Sequence, residues 1–104
     1  MTYIIIIEPQ VESDIENAII WYNKEQKGLG GKFYYELQRK IHQISSTPFI
    51  FAIRHAKTIR VAILSIFPYT IYFIVEKTTK KVFILAVLHN RRKPKTWVNR
   101  EDAD

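Results

Sequence analysis

At 104 residues with 47% hydrophobic content, the chain is long enough for one modest core and too short for a second domain. It contains no cysteine, which excludes a disulfide framework and any thiolate metal site, and its three histidines, His42, His55 and His89, have no nearby carboxylate at ligand spacing, so neither metal nor cofactor is expected. The net charge of +6 is unevenly placed: residues 1–53 carry five Lys/Arg against six Asp/Glu, a balance of −1, whereas residues 54–104 carry eleven against four, a balance of +7. A positive field confined to one half of a small domain points to a polyanionic or acidic partner.

The apolar runs Tyr3 to Ile7 and Val82 to Leu88 fall far short of the roughly 20 residues a membrane span needs, and no basic segment leads into a signal-type apolar region. The expectation is a cytoplasmic protein with no membrane association, a single domain over residues 1–104 ending in a basic tail from about residue 89.

In chain order, "TYIIII" is a β-branched run of strand length that Pro9 closes, giving a first strand over Tyr3 to Ile7. Val11, Ile15, Ala18, Ile19 and Tyr22 then recur at helical spacing to about Lys24. Ser13 and Glu16 have the spacing of a capping box, although Pro9 allows an earlier start. The break "KGLGG" leads into Leu29, Phe33, Leu37, Ile41 and Ile44, a second stripe at steps of three and four that ends before "SSTP". Two helices this close in sequence predict an antiparallel hairpin.

Beyond Pro48 the period changes. Ile59 to Ile66, Thr70 to Val75 and Val82 to Leu88 predict three strands, turned by "FPY" and "EKTTKK" into an antiparallel meander, while Phe49 to Ile53 is either a further short strand or an apolar loop. The predicted fold class is therefore α+β: an N-terminal strand, an antiparallel helical hairpin, then a three-stranded antiparallel meander, all strands in one sheet. Alternation assigns Val61, Ile63, Ile71, Phe73, Val75, Val82, Ile84 and Ala86 to one face and Leu64, Ile74, Phe83, Leu85 and Val87 to the other. Two helices cannot cover both faces, so loops, a second copy or a partner segment must shield the remainder.

Three stretches, "WYNKEQKGLGGKFYYEL", "IRVAILSIFPYTIYFIV" and "LAVLHNRRKPKTWVNR", occur in an order that resembles the RelE/ParE superfamily of bacterial type II toxin–antitoxin systems. The matching features are a tryptophan-tyrosine pair before a leucine-glycine break, an arginine before a phenylalanine-proline-tyrosine turn, and a histidine-arginine ending with a downstream tryptophan and arginine. The resemblance implies a growth-inhibiting, plasmid-stabilising toxin. Its partner would be an acidic, partly disordered antitoxin that covers sheet or hairpin surface in a hetero-oligomer. The superfamily divides between ribosome-dependent messenger-RNA cleavage and inhibition of DNA gyrase.

Metal-free RNA cleavage requires a group to deprotonate the 2′-hydroxyl, a group to protonate the leaving oxygen, and cations at the phosphate. The candidates are His89 at a strand end, Arg91 just after it, and Arg60, which lies opposite Val61 and could alternatively pair with Glu76. Arg54, His55 and Lys57 form a basic cluster that could join His89 or remain a solvated loop. Where the ribonuclease branch begins a strand with a catalytic arginine this chain has Thr70, and where that branch often has a C-terminal tyrosine it has Trp97, which can stack but has no titratable proton in the useful range. These departures favour the gyrase-directed branch, acting by binding, with Arg91, Arg92, Lys93, Lys95 and Arg100 as the contact surface and Trp97 as an anchor. A ribosome-dependent endoribonuclease and a non-toxic basic antitoxin-binding module are the alternatives. Trp21 and Tyr22 read as hairpin core, His42 as a helix-flank residue, and Glu25 and Glu36 are given no functional role.

Overall fold

The computed structural model describes residues 2–92. Strand β1 spans Ile4–Ile7, helix α1 Pro9–Glu25 and helix α2 Leu29–Ser46. A 3-10 turn at Pro48–Ile50 follows, then β2 at Ile53–His55, β3 at Ile59–Ile63, β4 at Tyr69–Glu76 and β5 at Lys81–His89. The five strands form one sheet in the order β1-β5-β4-β3-β2, antiparallel throughout except that β1 lies parallel to β5.

Helix α1 starts at Pro9, whose fixed φ and missing N–H suit the first helical position; Ser13 and Glu16 lie inside the helix, so the predicted capping box is not its start. Val11, Ile15, Ala18 and Tyr22 form its buried stripe, and Phe33, Leu37, Ile41 and Ile44 that of α2. The reversal between them ends at Gly28, which takes φ +86°, a conformation that disfavours any Cβ. Two residues later the helices touch: a Cβ on Gly30 would lie 2.4 Å from the Ile19 carbonyl oxygen, and the Gly30 N–H donates to Asn23 Oδ1 at 2.8 Å.

The predicted three-stranded meander proves to be four-stranded. Phe49 to Ile53 divides into the 3-10 turn and the start of β2, a three-residue strand with an irregular register against β3 that periodicity cannot register over so short a span. Strand β3 ends at Ile63 rather than Ile66: the Leu64 N–H still donates to the Tyr69 carbonyl, but from Ser65 onward the N–H groups turn to a side chain of α2, described below.

The hairpin covers one face of the sheet. Its core contains Ala62, Leu64, Phe67, Ile71, Phe73, Val82, Ile84 and Val87; a smaller cluster of Ile59, Tyr72 and Ala86, flanked by Val61, Ile74, Leu85 and Leu88, occupies the opposite face. The predicted faces are corrected at two places. Val61 pairs with Tyr72 and Ala62 with Ile71, so Val61 and Ile63 face away from the helices and Leu64 faces them. Between Tyr72 and Phe73 the β4–β5 register shifts by one, from Phe73↔Ile84 to Tyr72↔Ala86, leaving Leu85 as an extra residue. The bulge exchanges the assignments of Ala86 and Val87 beyond it.

Candidate functional site

The basic segment leaves the sheet at the end of β5, beside the β3–β4 turn. Tyr69 pairs with His89 across the last rung, their rings edge to face at 5.3 Å. Tyr69 also packs on Phe33 at 4.9 Å and on Tyr22 at 6.2 Å, so His89 caps an aromatic column reaching into the hairpin. Burial pushes the Tyr69 phenol above its ordinary value, and the Arg92 charge pulls it part of the way back.

After the last rung the chain turns tightly. The Asn90 N–H donates to the Pro68 carbonyl and the Arg92 N–H to the His89 carbonyl, both at 2.8 Å, and the Arg91 N–H donates to His89 Nδ1 at 3.1 Å. The last bond occupies the lone pair with which a neutral imidazole would accept a proton. Arg91 and Arg92 are exposed. Lys93, Lys95, Trp97 and Arg100 lie outside the described residues.

Thr70 is 8% exposed and donates through Oγ1 to Asn90 Oδ1 at 2.7 Å, fixing the start of the basic turn to β4. It faces away from the helices, next to Tyr72, so at the position where the ribonuclease branch is expected to present a cation there is a buried, committed hydroxyl.

Arg60 is not in this neighbourhood. It pairs with Phe73, four residues from Tyr69 along β4 and therefore about 13 Å along the strand from the His89 rung. Its Nη1 donates to the Phe51 carbonyl at 2.6 Å and its guanidinium lies 5.1 Å from the Phe49 ring centroid. Those contacts moor the segment before β2 to the sheet, and the expected Glu76 partner instead accepts from Thr79. His55 packs against Tyr72 at 5.5 Å, on the face opposite His89, so the Arg54–Lys57 cluster does not converge with it either. Of the three ribonuclease candidates, His89 and Arg91 are adjacent and Arg60 is apart.

Helix α2 supplies a residue that carried no signal in the sequence. The Glu36 carboxylate accepts from the N–H of Ser65 at 2.8 Å, of Ile66 at 3.0 Å and of Phe67 at 3.1 Å, filling the concave run of amides at the β3–β4 turn. Burial alone would raise this carboxyl; the three N–H donors and the nearby Lys40 outweigh it and hold it below the ordinary glutamate value. Tyr22 belongs to the hairpin core as predicted, whereas Trp21 is 56% exposed on α1, and His42 is exposed on α2. Among the described residues no cluster of histidine, aspartate and glutamate could hold a metal ion, and no helix is long and apolar enough to cross a membrane.

Residues 5–94, nearly the whole described chain, match the family of ParE toxins of the parDE type II toxin–antitoxin system. The chain belongs to that family. This ParE-family toxin also shares its fold with the E. coli toxin RelE, solved as a double arginine-to-alanine mutant in the free state, at TM-score 0.68 and 15% identity over 99% of this chain and 96% of that one. A search of curated protein sequences finds no match. The ParE-family assignment makes the chain the toxin of a type II system and implies an antitoxin as its partner.

Proposed function

We propose that this toxin inhibits growth by binding DNA gyrase through the basic segment that begins at His89, without bond-breaking chemistry of its own. The observation that carries the reading is Thr70: the position at which RNA cleavage would need a cation holds a buried hydroxyl bonded to Asn90. Two further features support it. Arg60 is committed to the Phe51 carbonyl, and the His89 Nδ1 lone pair is committed to a backbone N–H. What remains at the site is the charge of Arg91 and Arg92, and the sequence that follows adds the cations Lys93, Lys95 and Arg100 and the aromatic Trp97 as proposed contacts. Such a surface recognises a macromolecule by steering and contact.

Expression without antitoxin, followed by DNA-supercoiling and ribosome-dependent RNA-cleavage assays, tests the proposal. The expected result is lost supercoiling with intact messenger RNA, relieved by replacing Arg91 and Arg92 together with alanine. Codon-spaced RNA cuts with normal supercoiling, abolished by His89→Gln, would transfer the function to the ribonuclease reading. Unimpaired growth on induction would leave an antitoxin-binding module without toxicity.

A further inference from the structure

We propose that Glu36 is a positioning residue for the basic turn: from α2 it orients the β3–β4 turn, whose Pro68 carbonyl holds Asn90 and, through it, Arg91 and Arg92. The consequence for growth inhibition rests on the gyrase reading; the coupling itself does not.

The backbone polar groups of residues 65–68 show how the two ends are joined. Three N–H groups exist there, those of Ser65, Ile66 and Phe67, and all three donate to the Glu36 carboxylate, at 2.8, 3.0 and 3.1 Å. Pro68 has no N–H to offer. The Phe67 carbonyl accepts from the Tyr69 N–H and the Pro68 carbonyl from the Asn90 N–H, both at 2.8 Å. The turn therefore gives its donors to α2 and an acceptor to the basic turn. Between the last clipped amide, on Phe67, and the carbonyl that holds Asn90 lies one proline, whose ring fixes φ, so a displacement at one end reaches the other with little slack.

Glu36 is committed to this contact. Lys32 and Lys40 lie four residues to either side of it on the basic rim of α2, the spacing of a helical ion pair, yet its carboxylate accepts from the turn amides. The Phe67 ring, packed on Tyr22 at 5.0 Å and on Phe33 at 5.5 Å, fixes where the turn sits; the carboxylate fixes how its peptide groups point. At the receiving end Asn90 has two ties, its N–H to Pro68 and its Oδ1 to the Thr70 hydroxyl at 2.7 Å. The bonds from the Arg91 and Arg92 N–H groups to His89 shape the basic turn internally, so loss of the Pro68 tie leaves one side-chain bond to aim the two exposed arginines. Guanidinium groups already aimed lose less freedom on association, so Glu36 acts on affinity without touching the target.

The test compares the full chain, isotope-labelled for amide signals, with Glu36→Gln and with Ser45→Ala. The second variant removes a bond to the Tyr3 carbonyl at the other end of α2 and controls for general loss of stability. Glu36→Gln is expected to move the amide signals of Asn90, Arg91 and Arg92 and to speed hydrogen exchange at Asn90 about tenfold, whereas Ser45→Ala should do neither. Pro68→Gly frees the connecting φ, and in that background Glu36→Gln should change Asn90 exchange by less than about twofold. In DNA-supercoiling assays Glu36→Gln should raise the half-inhibiting concentration about fivefold, and Ser45→Ala should leave it unchanged. The proposal is overturned by unchanged Asn90 exchange in Glu36→Gln, by an equal rise in Ser45→Ala, by an effect that persists undiminished with Pro68→Gly, or by signal changes confined to residues 64–67. It is equally overturned if the wild type inhibits gyrase and Glu36→Gln inhibits as well. A wild-type chain that leaves supercoiling intact would instead remove the gyrase reading, and the Asn90 amide would still decide the coupling.

Discussion

Glu36 shows how one side chain can decide the shape of a turn far from it in sequence. Its carboxylate is depressed relative to the unfolded chain, so its contribution to stability is present above the ordinary glutamate range and is lost as pH falls through the folded value. Glu36→Gln keeps one acceptor oxygen and loses the charge; it should cost about 1–2 kcal/mol at neutral pH. Urea denaturation followed against pH checks this, because the gap between the two proteins should close on acidification. Arg60 teaches the complementary lesson. Its residue type suggested phosphate chemistry, but its bonds to the Phe51 carbonyl and the Phe49 ring make it a mooring point for an irregular segment. A residue's type can be read from sequence, whereas the partner that uses it is set by the fold.

At the scale of elements, the hairpin was legible because two stripes at helical spacing frame a glycine-containing break, and both stripes are buried as read. The tight contact inside it is a sharper claim. Gly30→Ala would place a methyl against the Ile19 carbonyl, which is backbone and cannot withdraw without parting the helices, and against the Asn23 side chain, which would have to give up its bond to the Gly30 N–H. The expected loss is about 2 kcal/mol or more, measured as a lower denaturation midpoint with unchanged slope. The control Gly31→Ala, one residue on, points into open space and should not be destabilising. The sheet was less legible. A strand of three residues has too few positions to show a period, and the extra Leu85 reverses alternation beyond it without leaving a mark in composition. The candidate site fared similarly: the clustering of His89 with Arg91 follows from sequence adjacency, but the tie between Thr70 and Asn90 joins residues twenty positions apart and required the ladder that sets them side by side.

For the molecule as a whole, the aromatic core predicts behaviour in alkali. Burial raises the phenols of Tyr22, Tyr69 and Tyr72; at Tyr22 the neighbouring Tyr69 adds to the effect, and at Tyr69 the Arg92 charge opposes it. A folded state that favours the neutral phenol retains that stabilisation below the unfolded value of about 10 and loses it as pH rises through the folded values. Phenolate absorbance should therefore rise in two stages, the later one coinciding with loss of tertiary structure, and Tyr69→Phe should reduce the later amplitude. The charge distribution acts at the same scale. Its positive field spans the basic turn at one sheet end, while the rim of α2 adds a second, smaller basic region that half-by-half counting concealed, because α1 carries most of the balancing acids.

The parallel pairing of β1 with β5 joins the first and last strands among the described residues, Ile4 opposite Lys81 and Ile7 opposite Ile84. The hairpin and the antiparallel ladders can assemble from neighbours in sequence, but this edge cannot exist until the chain has been made through β5. During synthesis the β1 segment, four consecutive isoleucines, must wait without its partner strand while everything between is completed. The finished sheet thus records that synthesis has passed β5, and a chain terminated before it would expose an unpaired, strongly β-forming segment suited to disposal by proteolysis.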